Sequence, residues 1–317
     1  LGSSGLSLAQ TRRVRLAFCG QLLCVVPYEF TRAQGFFADE GLDVELIYTR
    51  GGNAAMQALV GGAVEYAGTS FDVALQAFAN GAPIERFATT GRLPLFALAT
   101  APGTAEAIGG IEALAGRTVG VSALGNADHV LLLFLLERTG VDADSVRFAT
   151  LGPNLYDALR LGQIDAGMVQ EPALTLLRQD GGRVLFNAMD LEDAEAYLGG
   201  PYEFMGVAVR SAEKEARLEE MRALARALER GLQALQVAPV AEVIAALPSE
   251  LVAGGNVAQL EAILEQHRRS LYPDTVVIDP EAAERVQTSQ LVAGVLEAPV
   301  DLSALLALEV VGAAATP

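Results

Sequence analysis

The chain has 317 residues, 51% of them hydrophobic, and its 22 basic against 39 acidic side chains leave a net charge of −17. A surface that negative repels phosphate backbones and anionic lipid, which argues against nucleic-acid or membrane-surface binding. The longest apolar run, Val130–Leu136, is far too short to cross a bilayer.

In chain order, residues 1–11 differ in texture from the rest of the chain. They read either as the remnant of a secretory signal, with Ser7-Leu8-Ala9 as a small-x-small cleavage site, or as a tag containing Gly2-Ser3-Ser4-Gly5. Val14 to Cys19 then reads as a buried strand, Phe30 to Glu40 as a helix stopped by Gly41, and Asp43 to Tyr48 as a second strand. Asn53 is expected to cap a helix through Leu59 that ends at Gly61-Gly62, ahead of a strand from Val64 to Gly68.

The plan is repeated further on, with strands at Thr118–Val121, Val146–Ala149 and Ile164–Val169 and helices at Asp128–Arg138 and Leu155–Leu161. Strands separated by single helices imply βαβ units and largely parallel sheets. One octapeptide recurs: Ala58-Leu59-x-x-Gly62-x-Val64-Glu65 matches Ala158-Leu159-x-x-Gly162-x-Ile164-Asp165. The match predicts two lobes built on one template. From Ala212 onward the pattern turns helical, with Leu218, Met221, Leu224, Leu228, Leu232 and Leu235 at helical spacing and further helices over 240–252, 257–271 and 280–297.

In open α/β sheets ligands gather where strands end and helices begin, because free N–H groups and the helix dipole point there. Four such places carry small polar residues: Cys19-Gly20-Gln21, Gly51-Gly52-Asn53, Thr69-Ser70-Phe71-Asp72 and Ser122-Ala123-Leu124-Gly125-Asn126. Through the repeat, Ser70 falls opposite Gln170 and Phe71 opposite Glu171, so Gln170 and Glu171 are expected to face Thr69 and Ser70 across a cleft. Asn154 stands near the start of its helix as Asn53 does. Cys19 and Cys24, five positions apart, are too sparse for a disulfide framework, lack metal-ligand spacing and read as small buried hydrophobes. Catalytic candidates are few. His129 lies just inside a helix, His267 reads as part of a solvated face, and no nucleophile elbow, P-loop, zinc motif or dinucleotide fingerprint occurs. No cofactor is expected.

Three ordered segments resemble a known family. Leu114-Ala115-Gly116-Arg117-Thr118-Val119-Gly120-Val121 is similar to the segment leading into the second lobe of type II periplasmic binding proteins, with Arg117 in place of the usual lysine. Ala33-Gln34-Gly35-Phe36-Phe37-Ala38-Asp39-Glu40-Gly41-Leu42-Asp43-Val44 resembles a segment of the branch that binds nitrate, taurine, aliphatic sulfonates and pyrimidine precursors of thiamine. Gly162-Gln163-Ile164-Asp165-Ala166 followed by Glu171-Pro172 resembles a third. The resemblance implies a two-lobed α/β fold with a C-terminal helical layer. Crossings are expected near Pro94–Ala99 and Phe204–Val209, with lobe 1 over residues 12–96 and 204–317 and lobe 2 over 97–203. It also implies a monomer at the periplasmic or extracellular face, free or lipid-anchored, that closes on a small organic molecule and delivers it to an ABC permease. Arg92, Tyr202 and Phe204 join the candidate site through this resemblance, as residues near the crossings. The alternative it leaves is an enzyme on the same fold, of the pyrimidine-precursor or menaquinone-pathway type, with His129 or paired carboxylates at the cleft.

Overall fold

The computed structural model describes residues 11–252 and 256–312, so the expectation for residues 1–10 lies outside it. The first sheet collects β1 (Arg12–Cys19), β2 (Leu42–Thr49), β3 (Tyr66–Ser70) and β4 (Ile84–Thr89), joined by α1 (Leu22–Ala33), α2 (Gly52–Val60) and α3 (Phe71–Ala79). The second collects β5 (Ala97–Thr100), β6 (Thr118–Val121), β7 (Arg147–Thr150), β8 (Ala166–Val169) and β9 (Val184–Asn187). Its connections include α4 (Ala127–Arg138), α5 (Leu155–Arg160) and α6 (Ala173–Gln179). The chain then returns to the first sheet with β10 (Met205–Arg210) and ends in a layer built on α7 (Leu218–Val237), α8 (Val257–Leu271) and α9 (Pro280–Val292).

The strand orders, β2-β1-β3-β10-β4 and β7-β6-β8-β5-β9, have the same topology. In each sheet the strand that arrives from the other lobe, β10 or β5, runs antiparallel to both its neighbours. The sheets are therefore mixed, not largely parallel: a strand threaded in from outside the βαβ winding enters in the opposite direction. The passages between sheets are residues 90–96 and 188–204, so the second lies ahead of the expected position.

The repeated octapeptide has one physical job in both lobes. Gly62 and Gly162 take left-handed backbone (φ 78° and 69°), which a residue with a Cβ adopts only under strain. The acidic residues that end the motif clamp the neighbouring parallel strand. Glu65 accepts the Arg15 backbone N–H at 2.8 Å, and Asp165 accepts that of Thr118 at 2.8 Å.

Two helical expectations shift. The break at Gly35 (φ 77°) divides the expected helix 30–40, so α1 ends at Ala33 and only a single turn, Phe36–Asp39, comes after it. Meanwhile α1 begins at Leu22, and Leu22-Leu23-Cys24 is its first turn with Leu23 and Cys24 buried. Pro248 lies between the short helices Val240–Ala245 and Ser249–Val252, and the helix expected over 280–297 stops at Val292 before Gly294 turns left-handed. The apolar stripe of α7 packs as its spacing predicts, with Met221, Leu224, Leu228, Leu232 and Leu235 fully buried. Each such side chain contributes about 1.5–3 kcal/mol. Gly231 lets that helix lie against α1, because a Cβ there collides with the Thr31 side chain.

Candidate ligand-binding site

A cavity of about 350 Å³ lies between the two sheets. Four helices begin on its wall: α1 after Gln21, α2 after Gly51, α3 after Ser70 and α4 after Asn126. Three of these come from one lobe and the fourth from the other. The first amides of α2, on Gly52, Asn53 and Ala54, have no hydrogen-bond partner among the described residues. Asn53 is the second residue of α2 and not its cap; Gly51 takes that place without a side chain to block the amides. At α3 the Ser70 hydroxyl accepts from Val73 N at 3.4 Å. Arg50 adds a cationic side chain to the lining. Unpaired N–H groups, aligned dipoles and a guanidinium favour a negative group here, while Asp128, which also lines the cavity, turns its carboxyl oxygens to the Ser122 donors. At physiological salt the screening length is about 8 Å, so the local field outweighs the distant surface charge.

The second lobe supplies a rigid hydroxyl. Asp128, buried in the first turn of α4, accepts from Ser122 N at 2.6 Å and Ser122 Oγ at 2.7 Å, and Asn126 Nδ2 donates to the same hydroxyl at 3.0 Å. Burial raises the Asp128 carboxyl above its ordinary value, opposed by the Ser122 donors. The rest of the wall is apolar or soft: Cys19, Cys24, Val73, Phe96, Phe204 and Met205. Phe96 and Phe204, one at the end of each passage between sheets, meet edge to face at 5.9 Å. The neighbouring Cys24 thiol holds the Cys19 pKa below its ordinary value, while burial drives Cys24's own pKa well up.

Of the residues expected from sequence, Cys19, Gln21, Gly52, Asn53, Ser70, Ser122, Asn126, Gln170 and Phe204 converge on this cavity. Gln170 Nε2 also donates to Gln21 Oε1 at 2.9 Å, a bridge from one lobe to the other. The others lie elsewhere. Thr69 and Phe71 are completely buried, since strand alternation and the first turn of α3 turn them into the core. Arg92 binds the carbonyls of Ser270 and Arg269 at the end of α8. Leu124 is 62% exposed, and Asn154 is exposed at the start of α5 without capping it through its side chain. Tyr202 is buried against Ser289, with 2.6 Å between the two hydroxyl oxygens.

Glu171 is the correction with most consequence. Its carboxylate accepts from Thr175 N and Oγ1, both at 3.0 Å, and meets His267 Nε2 at 3.3 Å. It is thus buried between lobe 2 and the helical layer and leaves the cavity free of its charge. His267 is itself 2% exposed, not part of a solvated face. His129, the other histidine, accepts Gly125 N–H at Nδ1 (3.0 Å) and stacks edge-on against Phe148. Glu171→Gln is accordingly expected to leave ligand affinity within about twofold of the parent, although additivity across separate sites is only approximate. Calorimetric titration checks it.

Sequence reasoning missed Arg50, Val73, Phe96 and Met205 on the wall. It also missed Arg86 behind it, a fully buried cation that pairs with Glu203 at 2.8 Å and binds the carbonyls of Thr69 (2.9 Å) and Phe204 (2.7 Å).

Two lobes of one topology, linked by two passages and enclosing a cavity between their sheets, define the architecture of a periplasmic binding protein. The chain belongs to the NMT1/THI5-like family, which it matches over residues 25–242. Among solved structures it is similar to a Bordetella bronchiseptica RB50 protein, with 26% identity, a TM-score of 0.81 and coverage of 96% of this chain and 97% of that one. It has the fold of the periplasmic aliphatic sulphonate binding protein SsuA from Escherichia coli (18% identity, TM-score 0.73, 92% and 91% covered). The periplasmic nitrate-binding protein NrtA from Synechocystis PCC 6803 shares it too (15% identity, TM-score 0.71, 96% and 88% covered). No curated protein matches the chain by sequence.

Proposed function

We propose that this chain is the solute-binding component of an ABC importer, acting at the periplasmic or extracellular face. It captures a small organic anion, a sulfonate or an aromatic carboxylate, and hands it to the permease as a monomer. The lobes that close on it are residues 12–96 with 204–317, and 97–203. The observation that carries this reading is the convergence of four helix N-termini, three from one lobe and one from the other, on one cavity that also holds Arg50. The apolar wall of Val73, Phe96, Phe204 and Met205 favours an anion with an organic body over a bare inorganic ion. A cavity of about 350 Å³ suits a small ligand and sits at the lower end of the usual range.

A thermal-shift panel of alkyl sulfonates, aromatic carboxylates and neutral pyrimidines tests it. Ligand at 100 times its Kd stabilises the fold by about 2.7 kcal/mol, enough to raise the melting temperature by several degrees. An organic anion is expected to produce that rise, and Ser122→Ala, which removes the oxygen that orients the Asn126 amide at the cavity, to weaken its binding by about tenfold while the chain stays folded. A rise with neutral pyrimidines alone overturns the anion reading.

A further inference from the structure

Three sulfur-bearing residues from three elements line the cavity wall together: Cys19 at the end of β1, Cys24 in the first turn of α1 and Met205 at the start of β10. Cys24 Sγ lies 3.8 Å from Met205 Sδ and 3.9 Å from Gln21 Oε1, and Cys19 lines the same stretch of wall, close enough for the two thiols to shift each other's ionisation. Cys19 and Cys24 are free cysteines. Among the described residues no three His, Cys, Asp or Glu side chains converge, so this set exists only because a thioether completes it.

Its spacing and its chemistry agree. An ion with metal–sulfur bonds of about 2.3 Å holds its sulfur ligands about 3.8–4.0 Å apart in tetrahedral or trigonal geometry. Cys24 and Met205 already stand at that separation. Thiolates and a thioether are soft donors, which select a monovalent d¹⁰ ion such as copper(I) over hard, oxygen-seeking cations. We propose that Cys19, Cys24 and Met205 form a copper(I)-class site on the cavity wall, with Gln21 Oε1 beside it. Ligation forms metal–sulfur bonds, each ligating thiol gives its proton to solvent, and no electron is transferred. The site uses the same cavity as the anion but does not depend on which anion binds.

Copper(I), kept reduced and anaerobic, is titrated into the intact protein against a chromophoric copper(I) chelator, with thiols counted in parallel on protein unfolded in denaturant without reductant. One ion per chain is expected. Met205→Leu should weaken the ion at least tenfold and Cys24→Ser at least a hundredfold. The melting temperature of each variant confirms that it is folded, and the double variant Cys19→Ser/Cys24→Ser should lose binding altogether. Parent-like affinity in folded Met205→Leu overturns the proposal. So does a thiol count of zero in the protein unfolded in denaturant without reductant, which assigns the two cysteines to a disulfide. Because organic-anion binding is read separately by thermal shift without copper, loss of one result leaves the other standing.

Discussion

Arg86→Met is expected to destabilise the protein by about 3–5 kcal/mol, the range for breaking a buried ion pair from one side. The guanidinium is fully buried on β4, where it neutralises Glu203 and satisfies the carbonyls of Thr69 and Phe204. Burial raises the Glu203 carboxyl above its ordinary value, and the Arg86 charge opposes that rise. Methionine fills much of the volume but leaves a carboxylate and two carbonyls in an apolar interior. Adding Glu203→Gln to the same chain removes the stranded charge and should recover a substantial part of the loss. Urea unfolding of the parent, both single variants and the double variant closes the cycle; additive losses would show that the pair is not coupled. Because Phe204 lies on the cavity wall and Thr69 adjoins Ser70, which also lines it, the single variant should lower ligand affinity as well.

A loss of stability between about pH 4 and pH 7 is expected from Asp72. It is completely enclosed at the start of α3, its Oδ2 has no partner among the described residues, and burial pushes its carboxyl up to about 7. The folded state therefore holds a proton that the unfolded chain releases near pH 4. Stability from this group is complete below about pH 4 and falls as pH rises toward 7, by a total on the order of 4 kcal/mol. Asp72→Asn, which mimics the protonated acid, should be more stable than the parent at pH 8 and show a much flatter profile. Denaturation midpoints at pH 5 and pH 8 decide it; an equal drop in parent and variant assigns the effect to other groups. Asp128 and Glu203, also raised by burial, add slope of the same sign in both proteins.

How far the sequence discloses this fold and site depends on where each signal lies. Strand-helix alternation and the repeat are local, and they led to the two lobes and to the strand ends where Gln21, Asn53, Ser70, Asn126 and Gln170 stand. The strand Ile84–Thr89 is missing from the sequence expectations: Glu85 and Arg86 interrupt its apolar run, and Arg86 is tolerated in the core by Glu203, 117 positions away, and by the Thr69 and Phe204 carbonyls. Glu171 was assigned to the cleft by counting along the repeat, but its partner His267 belongs to the helical layer, which has no counterpart in the repeat. A signal for that burial was present: His267 shares a helix face with Leu260, Leu264 and Leu271, all buried. The sulfur cluster left no such trace, since Cys24 and Met205 are 181 positions apart.

Helix starts from both lobes are proposed to hold one anion together. Placing a carboxylate at each in turn tests it most directly: Asn53→Asp on α2 of the first lobe and Asn126→Asp at the start of α4 in the second, each titrated with the same organic anion. Both substitutions are expected to weaken that anion by at least tenfold. If either folded variant binds it as tightly as the parent, the anion does not span the two lobes, and the account of the site is wrong.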